Sequence, residues 1–328
     1  MQQRPFKQVD VFTAQAYLGN PLAVVLDGSG LSTEDMQKFA RWTNLSETTF
    51  LLPPTPEAAS QGADYQVRIF TPGYEMPFAG HPTLGSCHAW LEHGGVPQKP
   101  GLVVQQCKVG LIQINQASGR PAFAAPALRR SDATPTFVAA LADALGLPLA
   151  HIVASQHLNN GPIHFGLLVD DLTVLLGLSP DAVQLNTVLS AAGISGVGVA
   201  TVQSTEQADA PASGLIGRSN REARAFVGGG GGATTATPAN ANPADQPSVE
   251  VRFFFDHGKG VGEDPVTGSF NASLAQWLIA TGHAPTQYTA AQGTCLGVQG
   301  RVHIHQDGSG QVWVGGDAVT CVNGSVLL

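Results

Sequence analysis

One strand–loop–helix pattern is written twice in this 328-residue chain, and the repetition constrains the fold more than any single motif. Val67-Arg68-Ile69-Phe70 matches Val251-Arg252-Phe253-Phe254 at an offset of 184 (251 − 67). Downstream, GHPTLGSCHA from Gly80 lines up with EDPVTGSFNA from Glu263. Its Pro, Gly, Ser and Ala match at an offset of 183 (265 − 82). Each copy reads as a strand, a loop of matched length and a helix with proline at its start. Further back, Leu45-Ser46-Glu47 resembles Ile194-Ser195-Gly196 at an offset of 149 (195 − 46). An insertion in the second half accounts for the change of offset. A duplicated chain of this kind implies two similar halves, 1–126 and 127–328, with the last strands able to cross back to the first half. Two equivalent helix N-termini then face each other across a cleft, a common place for a small-molecule site.

The second copy, Gly262 to Ala280, carries the most chemistry. Pro265 has no N–H to lose at a helix start, and Phe270, Ala272, Leu274, Ala275 and Leu278 read as a buried helix. Small residues such as Gly268 and Ser269 let a ligand reach free backbone donors, which attract a carboxylate or phosphate. Asp264 beside them is unfavourable unless it has a task. By itself it reads most simply as a helix cap. Glu47, at the head of the β-rich run ETTFLL, is disfavoured in a strand, so it is either an exposed edge residue or a placed one.

Composition excludes several classes of partner. A net charge of −8 and a pI near 5.6 argue against nucleic acid and anionic membranes. No run of 18 apolar residues occurs, because Ile163 to Leu178 is broken by Asp170 and Asp171. The N-terminus MQQRPFKQVDV shows no apolar signal core, so cytoplasm is the expected location. Cys87, Cys107, Cys295 and Cys321 are widely spaced and read as small hydrophobes. His303-Ile304-His305 puts two imidazoles on one strand face. Without a third ligand nearby, that reads as an exposed strand and no metal site is expected. No nucleotide-, flavin- or phosphate-binding fingerprint is present, so no cofactor is expected.

In order, strands are expected over Phe6–Thr13, Leu22–Leu26, Asn44–Leu52 and Tyr65–Phe70, with a hairpin over Leu102–Ile114. A helix runs from Ser32, capped with Asp35, to Thr43, and another follows from His81 to His93. Pro53–Ala63 reads as a loop and Pro121–Pro126 as a crossover between halves. The second half gives helices over Thr134–Leu145 and Pro180–Ala192 and strands over His164–Asp170 and Val197–Val202. A flexible Gly-rich insertion spans 228–247, and short strands lie near Val302–His305 and Val312–Val314.

Taken in order, VDVFT, GNPLAVV, NLSETTFLL, VRIFTP, PFAGHPTLG and GEDPVTGSFNASLA resemble the PhzF-like phenazine-biosynthesis family, which has the diaminopimelate-epimerase-like fold. The matches run from about residue 9 to 275. The resemblance implies an α+β fold of two pseudo-symmetric domains, each a mixed sheet or barrel wrapped around a central helix, with the site between them. It implies that Glu47 is the acid/base carboxylate, with His81, Asp264 and Ser269 as site residues; on physical grounds His81 and Asp264 are expected to hold polar substituents or shuttle the proton, and the opposed helix N-termini at Gly80, Gly268 and Ser269 to hold the substrate carboxylate. It further implies a homodimer and a cofactor-independent isomerase of a small carboxylate, of the trans-2,3-dihydro-3-hydroxyanthranilate type. An amino- or hydroxy-acid epimerase using Glu47 and Asp264, or a non-catalytic binding protein of the same fold, are the alternatives. Epimerases of this fold use two cysteines, and here no cysteine falls on the matched motif positions.

Overall fold

A computed structural model describes residues 1–117, 119–203, 246–256 and 260–328. Apart from Gln246 and Pro247, the expected insertion at 228–247 lies outside the described residues. The first half runs β1 (Gln3–Val11), β2 (Asn20–Val25), α1 (Thr33–Thr43), β3 (Glu47–Leu52), α2 (Pro56–Ser60), β4 (Tyr65–Phe70) and β5 (Glu75–Met76). It continues through α3 (Gly80–Glu92), β6 (Leu102–Cys107), β7 (Gly110–Asn115) and β8 (Ala122–Ala124). After β9 (Arg129–Ser131) and α4 (Pro135–Leu145), the second half begins with β10 (Ile152–Asn159), β11 (Ile163–Val169), α5 (Leu172–Leu176) and α6 (Ala182–Ala192). Then come β12 (Gly196–Val202), β13 (Val249–Asp256), β14 (Val261–Glu263) and α7 (Gly268–Ala280). The last strands are β15 (Gln287–Gln292), β16 (Gly300–Gln306), β17 (Val312–Gly315) and β18 (Ala318–Leu327).

The strand pairings repeat. β1 is antiparallel to β2, β2 parallel to β3, and β3 antiparallel to β4. β4 then takes β5 antiparallel and β6 parallel. The same sequence of pairings runs through β10, β11, β12, β13, β14 and β15. β8 joins β17 antiparallel. The strand that follows each half is exchanged: β9 lies on β10, and β18 lies along β1 over nearly its whole length. Each copy also carries the same internal ion pair. Arg68 grips Glu75 and lies over the Phe70 ring, and Arg252 grips Glu263 and lies over the Phe254 ring.

α3 and α7 are the central helices. A helix that is apolar all round must be enclosed. α3 buries every residue from Gly80 to Cys87, and α7 buries every residue from Gly268 to Ala275. A single apolar cluster joins their inward faces to both halves, through Leu84, Phe78, Phe270 and Leu274. α1 ends at Asn44 in the left-handed conformation, and Ser32 accepts from the Asp35 N–H at its start. α4 has Thr134 as cap, Pro135 at its first position and Gly146 as its stop.

Three expectations need correction. Pro53–Ala63 contains α2, because Thr55 caps the backbone N–H of Ala58 and Pro56 sits at the first helical position. Pro121–Pro126 contains β8, a paired strand between β7 and β17. The proline match at offset 183 does not mark equivalent positions. Pro82 lies inside the first turn of α3, whereas Pro265 precedes Thr267, the cap of α7. Glu263 follows Phe254 by nine positions (263 − 254), whereas Glu75 follows Phe70 by five (75 − 70). That longer loop shifts the spatial offset to 188 at the helix starts (268 − 80). Among the described residues, no helix is long and apolar enough to cross a membrane.

Candidate active site

The two central helices meet N-terminus to N-terminus. A Cβ on Gly80 would lie 2.6 Å from the Gly268 carbonyl carbon and 2.8 Å from the Ser269 nitrogen, so only glycine allows this approach. Neither Ala79 nor Thr267, the two cap residues, caps its helix with a side chain, and neither first turn contains an acidic residue. Two unopposed positive helix ends therefore face one spot, which favours an anion there.

Glu47, His81 and Asp264 are brought to this spot, together with Gly80, Gly268 and Ser269. All six line one pocket. The three side chains are 6%, 3% and 4% exposed. Its free space is about 30 Å³, room for two or three waters at roughly 10–15 Å³ each. A larger cavity of about 740 Å³ lies elsewhere, beside Tyr288, His303 and Trp313, and contains none of the six. Size does not locate the chemistry.

Asn20 ties the site together. Its amide nitrogen donates to the Val266 carbonyl (2.9 Å) and to Asp264 Oδ1 (3.1 Å), and lies 3.3 Å from His81 Nδ1. Its amide oxygen accepts from Ser46 (3.2 Å). The amide NH₂ has two hydrogens for these three neighbours and can only donate, so the contact with His81 Nδ1 is consistent with an acceptor there, and the imidazole proton is assigned to Nε2. That Nε2 is 3.2 Å from Glu47 Oε2. The contact is not a formed hydrogen bond, and neither atom has another hydrogen-bond partner. Apo sites often hold such pairs loosely.

Asp264 does not cap α7. Its carboxylate accepts from the Thr267 hydroxyl at 2.5 Å, while its carbonyl accepts from the Gln292 amide. Gln292 also receives Asn271 and the Thr267 N–H, which fixes the turn between β14 and α7. Asn20, Thr267 and Gln292 are supports that local sequence did not mark as a group. Asn20 lies in a quoted motif, but its partners Asp264 and Val266 are more than 240 residues away. His303 Nδ1 is 3.1 Å from the Thr289 hydroxyl, and no group of three metal-ligating side chains occurs among the described residues.

Burial sets the protonation states. It pushes Glu47 up to about 8, helped by the nearby Asp264 charge, and also raises Asp264 against the hydrogen bonds from Thr267 and Asn20. Burial takes His81 down to about 3, so its ring is neutral. Linkage gives the stability consequence. Between the unfolded Glu value near 4.5 and about 8, the folded state holds the Glu47 proton and the unfolded chain does not, so stability falls as pH rises. Glu47→Gln removes that loss. Its melting temperature should exceed wild type by a margin growing from near zero at about pH 5 to several degrees at about pH 8. The low value of buried His164 acts on both proteins alike on acidification, so the difference reads Glu47 together with the Asp264 charge that helps raise it. A margin independent of pH would contradict this assignment.

The sequence profile of a family described as phenazine biosynthesis-like protein matches residues 9–216 and 229–324. Antisense-enhancing sequence 1 of Schizosaccharomyces pombe is 31% identical over 342 residues, covering all of both chains. Trans-2,3-dihydro-3-hydroxyanthranilate isomerase of Pseudomonas aeruginosa is 35% identical over 178 residues, 53% of this chain and 60% of that protein. A phenazine biosynthesis protein of the PhzF family from Bacillus anthracis superposes with a TM-score of 0.74 over the full length of both chains, at 22% identity. Its fold is thus shared end to end.

Proposed function

This chain belongs to the phenazine biosynthesis-like family and is an isomerase, and from that premise we propose that it moves a proton between carbons of a small unsaturated carboxylate, with Glu47 as the carrier. The observation behind this reading is a carboxyl group buried against a neutral imidazole, beside two helix N-termini that favour an anion. Gly80, Gly268 and Ser269 hold the substrate carboxylate on backbone donors. Glu47, as carboxylate, takes a proton from one carbon and returns it to another of the same conjugated system. The electron pair released at the first carbon shifts through the double bond to the second, so no oxidant or reductant is needed. His81 donates its Nε2–H to Glu47 whenever the carboxylate is free, and Asn20 keeps that tautomer in place. Asp264 is held by Thr267 and Asn20 to orient polar substituents.

The substrate assigned is trans-2,3-dihydro-3-hydroxyanthranilate or a close relative, by likeness to a relative that covers part of the chain. A ring of that size does not fit about 30 Å³, so the halves 1–126 and 127–328 part to admit it. The reading includes a homodimer in the cytoplasm, which a mass measurement in solution and cell fractionation check. A two-thiol racemase is disfavoured because Cys87, Cys107, Cys295 and Cys321 do not line the pocket.

The test is conversion of trans-2,3-dihydro-3-hydroxyanthranilate by the purified protein across a pH series. kcat/KM should rise about tenfold per pH unit below about 8, then level off, since that profile reports the free-enzyme carboxyl. Activity therefore climbs over the range in which stability declines. No consumption of this acid at stoichiometric protein would overturn the substrate. A flat profile would overturn the role of Glu47.

A further inference from the structure

The same pocket contains a titratable group that the proton transfer does not use. His164 lies on β11, paired with Gly196 of β12, is 3% exposed, and lines the pocket with Glu47 and His81. Its ring stands edge-on to Phe253 at 5.1 Å and to Phe270 at 5.9 Å, which fixes its orientation against the first turn of α7. Nδ1 has no hydrogen-bond partner among the described residues. Burying such an atom unpaired is unfavourable, so a Phe here would suit the apo fold better. Burial takes the imidazole down to about 3, so it is neutral at working pH.

The half-to-half comparison shows what this wall has become. Gly196 stands where the first half has Glu47, and a Cβ there would lie 2.5 Å from the Phe253 ring. An aromatic ring takes the carboxylate's place, and His164 packs against that ring. Phe270, its other neighbour, follows Ser269, so a carboxylate held at Ser269 carries its adjacent substituent toward His164. A neutral imidazole suits a neutral partner, because an anion would draw a proton onto the ring.

We propose that His164 is a specificity-determining residue that hydrogen-bonds a neutral amino or hydroxyl group carried beside the substrate carboxylate. This rests on the reading of the cleft as a carboxylate site. It restricts substrates to acids bearing such a substituent on the neighbouring atoms.

The test uses benzoate and 2-aminobenzoate as binding probes, titrated into wild type, His164→Phe and His164→Asn. Phe preserves the ring contacts and removes both nitrogens, and its melting temperature should match or exceed that of wild type. Wild type should bind 2-aminobenzoate about tenfold more tightly than benzoate, the worth of one hydrogen bond. His164→Phe should bind the two equally with its benzoate affinity unchanged, and His164→Asn should recover part of the preference. A preference retained in His164→Phe, or absent from wild type, overturns the proposal. If the isomerase assay fails while the preference behaves as described, the proposed reaction falls and the His164 assignment stands.

Discussion

Glu47→Gln lowers kcat by about 10²–10⁴-fold, the range for loss of a positioned general base, and leaves binding of a simple carboxylate within a few-fold. Gln has the shape of the protonated acid, which is the resting form that burial enforces. The pocket walls, the His81 tautomer and the helix N-termini stay as they are, so the missing capability is proton transfer alone. A loss confined to kcat is the signature of an interaction used in the transition state. Steady-state kinetics with a parallel melting curve separates this from misfolding. Wild-type kcat in a folded Gln variant would remove Glu47 from the reaction.

Gly80→Ala and Gly268→Ala should each reduce kcat/KM by about 100-fold, the scale set by roughly an ångström of misplacement at a reacting centre. Ala is favoured over Gly inside a helix by about 1 kcal/mol, so local propensity alone makes these substitutions stabilising. The packing dictates the opposite. The Gly80 methyl would meet backbone atoms of Gly268 and Ser269 at 2.6–2.8 Å, and the Gly268 methyl would meet Gly80 Cα at 2.9 Å and the Phe12 ring at 3.0 Å. Backbone of two enclosed helices cannot yield as a side chain can, so the helix ends separate and the anion site widens. Melting curves should show both variants less stable than wild type. A more stable and fully active Gly80→Ala protein would mean that the helices do not need this contact.

The sequence carried the fold wherever the signal was local. Ser32 and Asp35, Thr134 and Pro135, and the strand expected over Tyr65–Phe70 each marked an element within a residue or two of where it lies. The internal repeat pointed to two halves, and the paired strands and matched Arg–Glu grips bear out a duplicated fold. The repeat also misled, since matched prolines at offset 183 obscured a longer loop between β13 and β14. Short β9 and the long closing strand β18 were not legible, because β9 is defined by β10, which lies beyond α4, and β18 by β1 at the other end of the chain. The resemblance named Glu47, His81 and Asp264, and the structure gathers them in one pocket. Glu47 had looked like an edge residue from propensity, and only three-dimensional neighbours show it buried. Asn20, Gln292 and His164 were missed for the same reason. Their meaning lies in contacts with residues distant along the chain, which no local spacing encodes.

Proton NMR of wild-type protein turning over trans-2,3-dihydro-3-hydroxyanthranilate in D₂O tests the central claim most directly. The account predicts that the double-bond signals migrate and that at most one deuteron enters the product, at the carbon that receives the proton. Deuterium appearing at a stereocentre of recovered substrate, with the double bonds unmoved, would contradict it and make the protein an epimerase.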